Sequence, residues 1–279
     1  AAHGPAFRRV AIARRTDADG DPISAVAISP DGRHVAYLTG LPKGEGAFNP
    51  ASRLDAPIAR AWLAPAGGSG QAVDLGPRTD VNFSADSRWL LLRRGGDLLR
   101  VATARPKAKP ALFAKGGAGW SQWQWSAAGD LLFVDDRRGY SFLGRLRPGA
   151  TAVDWLVTGA DRLAVPVLSP DGRRVAFLRL AGRRHSVTPD RLESEAFAID
   201  VLDLATGVTR TVWRTRGPAL TLWMDDPEQA LRWSGNDTLI FYSEDDDWGR
   251  LYALPVSGGT PRPLTPTGCM VAHSEGAGE

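Results

Sequence analysis

Two short segments concentrate residue types suited to holding a charged ligand. In "AGRRHSVTPDRLESEAF", residues 181–197, Glu193 and Glu195 stand two positions apart, downstream of Arg184 and Arg191. Neighbouring carboxylates attract a cationic group such as an ammonium. The competing reading is a solvated loop in which they pair with Arg184 or Arg191. In "SEDDDWGR", residues 243–250, Asp245, Asp246 and Asp247 precede Trp248. Adjacent carboxylates suit a cation or a basic partner, with Trp248 offering an aromatic surface to a substrate. The competing reading is a polar hairpin tip with Trp248 packed between strands. Glu193, Glu195, Arg184 and Trp248 are therefore the candidate substrate-binding residues.

Residues that would break bonds are not found in any recognisable pattern. The sequence has no Gly-x-Ser-x-Gly, and Ser69 in "GGSGQ" fails at the last position. His3, His34, His185 and His273 fall in no triad context. Cys269 is the single cysteine, which excludes an internal disulfide and a thiolate metal framework. It reads as a small buried apolar residue. No catalytic residue, metal site or cofactor is expected within these residues.

Composition narrows the class further. The chain has 279 residues, 43% hydrophobic and 23% charged, which is ordinary for a globular protein. Thirty arginines against four lysines leave a net charge of only +3. The arginines are scattered, with no basic stripe and no aromatic platform, so a nucleic-acid partner is not expected. No apolar run approaches the roughly 20 residues that cross a bilayer. The chain opens "AAHGPAF" without Met. That fits either a mature protein cut after a small-residue signal site, hence periplasmic or secreted, or a trimmed cytoplasmic one.

The elements that must position these loops come from a repeated phrase. "ISPDGRHVAYLTG", residues 28–40, returns as "LSPDGRRVAFLRL", residues 168–180. Weaker spellings start at Ser84, Ser126 and Ser234, so successive serines are 55, 42, 43 and 65 residues apart. Two spacings match the ~40–45 residues of a four-stranded propeller blade, and the other two require insertions. Pro presets φ at the first turn position, Asp bonds nearby backbone, and Gly takes the left-handed conformation. Each phrase joins two alternating strands, and a second hairpin follows it, such as "AFAIDVLDLATGVTRTVWRT", residues 196–215. No segment shows helical periodicity.

The expectation is an all-β propeller with five full four-stranded antiparallel blades at 22–76, 77–115, 118–159, 162–216 and 229–266. A stub follows at 267–279. In "GWSQWQW", alternation places Trp123 and Trp125 on one face, in the core between blades. The first and fifth blades are expected to expose apolar faces bearing Ala25, Ala27, Leu239 and Phe241. Unless it closes as a five-bladed ring, the chain would then need the remainder of its protein, covalently attached or as a second fragment, with a homo-oligomer as a further possibility.

The "SPDGR-VAF" hairpins and "AIDVLDLATGVTRTVW", residues 198–213, resemble the propeller of the prolyl oligopeptidase family of serine peptidases. The dipeptidyl-peptidase and acylaminoacyl-peptidase branches are the most similar. "LRWSGNDTLIFYSEDDDWGRLYALPVSGGTPRPLT", residues 231–265, carries the resemblance most specifically. It implies seven or eight blades in the whole propeller and a partner α/β-hydrolase domain, absent from this chain, that holds the catalytic Ser, Asp and His. It also implies a propeller that filters short peptide substrates by size. In the dipeptidyl branch a pair of Glu holds the substrate amino terminus, the role it would give Glu193 and Glu195. The same hairpins resemble TolB-like propellers, so a non-enzymatic protein-interaction module is the alternative. A lectin-like propeller for small ligands is a third.

Overall fold

The computed structural model describes residues 23–40, 59–68, 70–115, 120–126, 128–137, 139–148, 150, 152–182, 196–217, 230–245, 249–268 and 271. Among these residues twenty strands form five four-stranded antiparallel sheets, each taken up in chain order. The first sheet is β1 (Ile23–Ile28), β2 (His34–Thr39), β3 (Arg60–Pro65) and β4 (Val73–Pro77). The second is β5 (Val81–Phe83), β6 (Trp89–Arg94), β7 (Asp97–Ala102) and β8 (Ala111–Lys115). The third is β9 (Trp120–Trp125), β10 (Leu131–Asp136), β11 (Ser141–Leu146) and β12 (Asp154–Val157). The fourth is β13 (Arg162–Leu168), β14 (Arg174–Leu180), β15 (Phe197–Asp203) and β16 (Thr209–Arg214). The fifth is β17 (Leu231–Ser234), β18 (Thr238–Ser243), β19 (Arg250–Pro255) and β20 (Arg262–Pro263). No helix among the described residues is long and apolar enough to cross a membrane. The chain divides into two compact units, Ala1–Ala118 and Gly119–Glu279. Within each unit successive sheets stack face to face, the blade packing of a β-propeller.

The repeated phrase builds the same turn three times. Ser29 Oγ donates to Asp31 Oδ1 at 2.6 Å, and that oxygen also accepts the Arg33 amide at 3.1 Å. The His34 amide donates back to Ser29 Oγ at 2.9 Å. The same set recurs at Ser84, Asp86, Arg88 and Trp89, and at Ser169, Asp171, Arg173 and Arg174. The turns also join neighbouring blades. The Asp31 amide donates to Ser87 Oγ at 3.0 Å, and the Asp171 amide to Asn236 Oδ1 at 3.0 Å. The fifth spelling is a different turn. Ser234 pairs with Thr238 in the ladder, and Asn236, which follows Gly235, serves the fourth blade instead.

Gly172 has φ of 69° and would find nothing within 4 Å of an added Cβ. A side chain there costs backbone conformation alone. Gly172→Val is expected to lower stability by about 1–3 kcal/mol. A thermal melt unchanged within error would remove this assignment. The second blade already carries Ser87 at the equivalent position, with φ of 60°.

The turn carboxylates make stability depend on acidity. Asp31 and Asp171 are held below the ordinary value of 3.8, first by the serine hydroxyl and then by the Arg33 or Arg173 amide. A carboxyl depressed in the fold stabilises it above the unfolded pKa, and that contribution is lost as pH falls through the folded one. The urea midpoint is expected to hold steady from neutral pH to about 5 and to decline below about 4. A triple variant, Ser29→Ala with Ser84→Ala and Ser169→Ala, should decline less steeply. Equal declines would exclude the turns as the cause.

Bulges interrupt the first strands of the third and fourth blades. Gln122 and Trp123 together oppose Phe133, and Val165 and Pro166 oppose Phe177. Gln122 and Val165 both have φ of 51°, a conformation costing about 1–3 kcal/mol for a β-branched residue. The bulge takes the Val165 amide out of the ladder, and Gln122 Oε1 accepts it at 2.7 Å from the neighbouring blade. Gln124 Oε1 accepts the Leu168 amide at 2.6 Å in the same way. The break in alternation changes the expected core. Trp120, stacked on Phe133 at 3.8 Å, is the buried tryptophan, while Trp123 and Trp125 are half-buried.

Apolar layers fill the seams between blades. In the first unit Ala36, Leu38 and Leu63 meet Val81, Phe83 and Leu90. In the second unit Leu132 and Leu143 meet Val175 and Phe177, and Ile199 and Val201 meet Leu231 and Phe241. Leu239 and Phe241 are thus 0% exposed, contrary to the sequence expectation. Their face of β18 meets the fourth blade rather than solvent. In the first blade Ala27 packs on the core of its unit, and the exposed apolar residues include Ile23, Val26 and Ile28.

Candidate functional site

Glu193, Glu195, Arg184 and Trp248 lie outside the described residues, as do Asp246, Asp247 and the loop at 44–53. Of the acidic segment, Ser243, Glu244, Asp245, Gly249 and Arg250 are described. Tyr242 donates its hydroxyl to Glu244 Oε1 at 2.9 Å. Burial, and then the Glu244 carboxylate, push the phenol pKa upward. The phenol is therefore a fixed hydrogen-bond donor, and Glu244 has a structural partner. Gly249 lies so close that any Cβ there would collide with the Tyr242 ring. Among the described residues no group of three or more His, Cys, Asp or Glu side chains could hold a metal ion.

The geometry instead defines a pocket at the seam of the fourth and fifth blades. Along β18 the residues facing the fourth blade are Leu239, Phe241 and Ser243, by the two-residue period of a strand. The first two fill the seam, and the small Ser243 leaves space beyond them. The resulting pocket has a volume of about 250 Å³. Its apolar wall is Trp213 from β16, Phe241 from β18 and Tyr252 from β19. Trp213 and Phe241 have ring centroids 4.8 Å apart, and Phe241 stacks on Tyr252 at 5.5 Å. Arg210 ties the seam nearby, donating from Nη2 to the Val256 carbonyl at 2.6 Å.

The polar part of the pocket is Ser243, Arg214, Arg216 and Asp245. Ser243 is 0% exposed, and its Oγ has no hydrogen-bond partner among the described residues. A buried hydroxyl left unpaired costs about 1–3 kcal/mol. Among the described residues Arg214 reaches Thr211 Oγ1, at 3.5 Å. The ion pairs among the described residues include none of Arg214, Arg216 and Asp245. Both signs of charge are thus offered beside an aromatic wall. Sequence reasoning singled out the segment containing Ser243 and Asp245 but missed Trp213, Arg214, Arg216 and Tyr252. They come from two blades, and no local spacing links them.

Five four-stranded antiparallel sheets with inter-blade turn bonds define the class: this is a β-propeller chain. No family model matches the sequence, and no curated protein sequence matches it. Solved structures do match. A puromycin-hydrolyzing peptidase of Mycobacterium tuberculosis is 18% identical with a TM-score of 0.61, over 88% of this chain and 38% of that one. Dipeptidyl peptidase 4 of Porphyromonas gingivalis is 14% identical with a TM-score of 0.59, over 88% and 40%. TolB of Acinetobacter baumannii is 17% identical with a TM-score of 0.51, over 86% and 53%. At such identities the likeness is one of fold. The chain spans about half or less of the length of these three proteins.

Proposed function

We propose that the chain is the substrate-gating propeller portion of a serine peptidase of the prolyl oligopeptidase type, acting on peptide or acyl-peptide bonds of short peptides. The observation that carries this reading is the closer superposition on the two peptidases than on TolB. The resemblance of residues 231–265 supports it from the sequence side. In this role the propeller admits peptides by size, orients them and keeps bulk water from the reaction. Bond cleavage would fall to a Ser, Asp and His of an α/β-hydrolase domain, through an acyl-enzyme. Glu193 and Glu195 would receive the substrate ammonium, and Arg184 and Trp248 would be further substrate-binding residues.

The test is labelling with a serine-directed fluorophosphonate. The product of the complete coding sequence should be labelled and should hydrolyse chromogenic aminoacyl or peptidyl substrates. The 279-residue chain should do neither. A coding sequence without a Gly-x-Ser-x-Gly elbow, whose product takes no label, would overturn the proposal. That result would favour the second reading, a TolB-like interaction propeller, which the likeness to TolB over 86% of the chain supports.

A further inference from the structure

From the seam pocket we infer that the fourth and fifth blades bind a free α-amino acid with an aromatic or large apolar side chain. This inference does not depend on the peptidase reading. Three observations converge on that chemistry. The half-buried rings of Trp213 and Tyr252, backed by the buried Phe241, offer apolar surface to a flat group. Arg214 and Arg216 supply guanidinium donors for a carboxylate, and neither is engaged by a carboxylate of the protein among the described residues. Asp245, on the same pocket, supplies the opposite charge for an ammonium. A purely anionic ligand would leave Asp245 facing like charge, and a purely cationic one would meet two arginines. A zwitterion satisfies both.

Ser243 is the second, independent sign of a ligand. Its hydroxyl is buried at the pocket and unpartnered among the described residues, whereas the buried Ser29, Ser84, Ser141 and Ser169 are all hydrogen-bonded. A bound carboxylate oxygen would accept its proton and remove the cost of the orphan group. At about 250 Å³ the pocket has room for one amino acid.

Isothermal titration of the intact protein with four probes tests the inference. L-phenylalanine should bind saturably. 3-Phenylpropionate, which lacks the ammonium, and phenethylamine, which lacks the carboxylate, should each bind at least about tenfold more weakly, the value of one charge-assisted hydrogen bond. L-alanine, which lacks the ring, should also be weaker. Arg214→Ala with Arg216→Ala, and separately Asp245→Asn, should weaken phenylalanine binding by about tenfold or more while the thermal melt is unchanged, since all three residues are exposed. Ser243→Ala should weaken phenylalanine and phenylpropionate but leave phenethylamine unaffected. Three results would each overturn the inference: no saturable phenylalanine binding, single-charge analogues that bind as tightly as phenylalanine, or variants that bind as the parent does.

Discussion

Phe241→Ala is expected to destabilise the unit Gly119–Glu279 by about 3–5 kcal/mol. Phe241 is 0% exposed and sits where the fourth and fifth blades meet. Its ring centroid lies 4.8 Å from Trp213, 6.3 Å from Phe197 and 5.5 Å from Tyr252. Truncation removes buried apolar area and the aromatic pairings together, and it leaves a cavity continuous with the seam pocket. The strands of both blades are held by their own ladders, so the space cannot collapse fully. Phe241→Leu, which keeps most of the volume, should cost under about 1.5 kcal/mol. Urea unfolding followed by far-ultraviolet circular dichroism reads both. A Phe241→Ala loss below about 1 kcal/mol would mean that the two blades are not packed through this ring.

Asp200→Ala should cost about 3 kcal/mol, the low end of what breaking a buried ion pair costs. Asp200 is 2% exposed on β15 and accepts two bonds. Arg179 Nε donates to Oδ2 at 2.6 Å, and Thr211 Oγ1 donates to Oδ1 at 2.8 Å. Burial disfavours the Arg179 charge, but Asp200, and then Asp161 at 3.1 Å, outweigh it and raise the guanidinium pKa. Removing Asp200 leaves Arg179 with Asp161 alone and Thr211 without its acceptor. The half-exposed Asp161 prevents the full penalty of an unpaired buried charge. Asp200→Asn preserves shape and one acceptor, so it should cost less, about 1–2 kcal/mol. If the two variants were equally destabilised, charge would not be the source of the effect. An Asp200→Ala protein as stable as the parent would show that the network contributes nothing net.

The hairpins were legible in the sequence because their causes are local. Ser29, Asp31 and Gly32 specify a turn through bonds that span five residues, and the unbroken apolar run Val35, Ala36, Tyr37 and Leu38 declares a strand buried on both faces. Repetition of that unit was enough for the blade count within these residues and for the class of fold, since a four-stranded sheet with two apolar faces has to be stacked. The same local reading failed wherever the deciding partner lay in another blade. Gln122 and Val165 break the two-residue period because an amide freed by one bulge is satisfied by a glutamine more than forty positions away. Asn236 left the fifth turn to serve the fourth, and Leu239 and Phe241 were hidden by a face that alternation could identify but not assign to a neighbour. The seam pocket belongs wholly to this second kind. Arg214, the last residue of β16, and Asp245, just past β18, are thirty-one positions apart, and nothing in the local pattern around either requires them to meet. Stacking one sheet on the next decided that they do, because packing at a seam sets which side chains share a space, and propensity acts only along the chain.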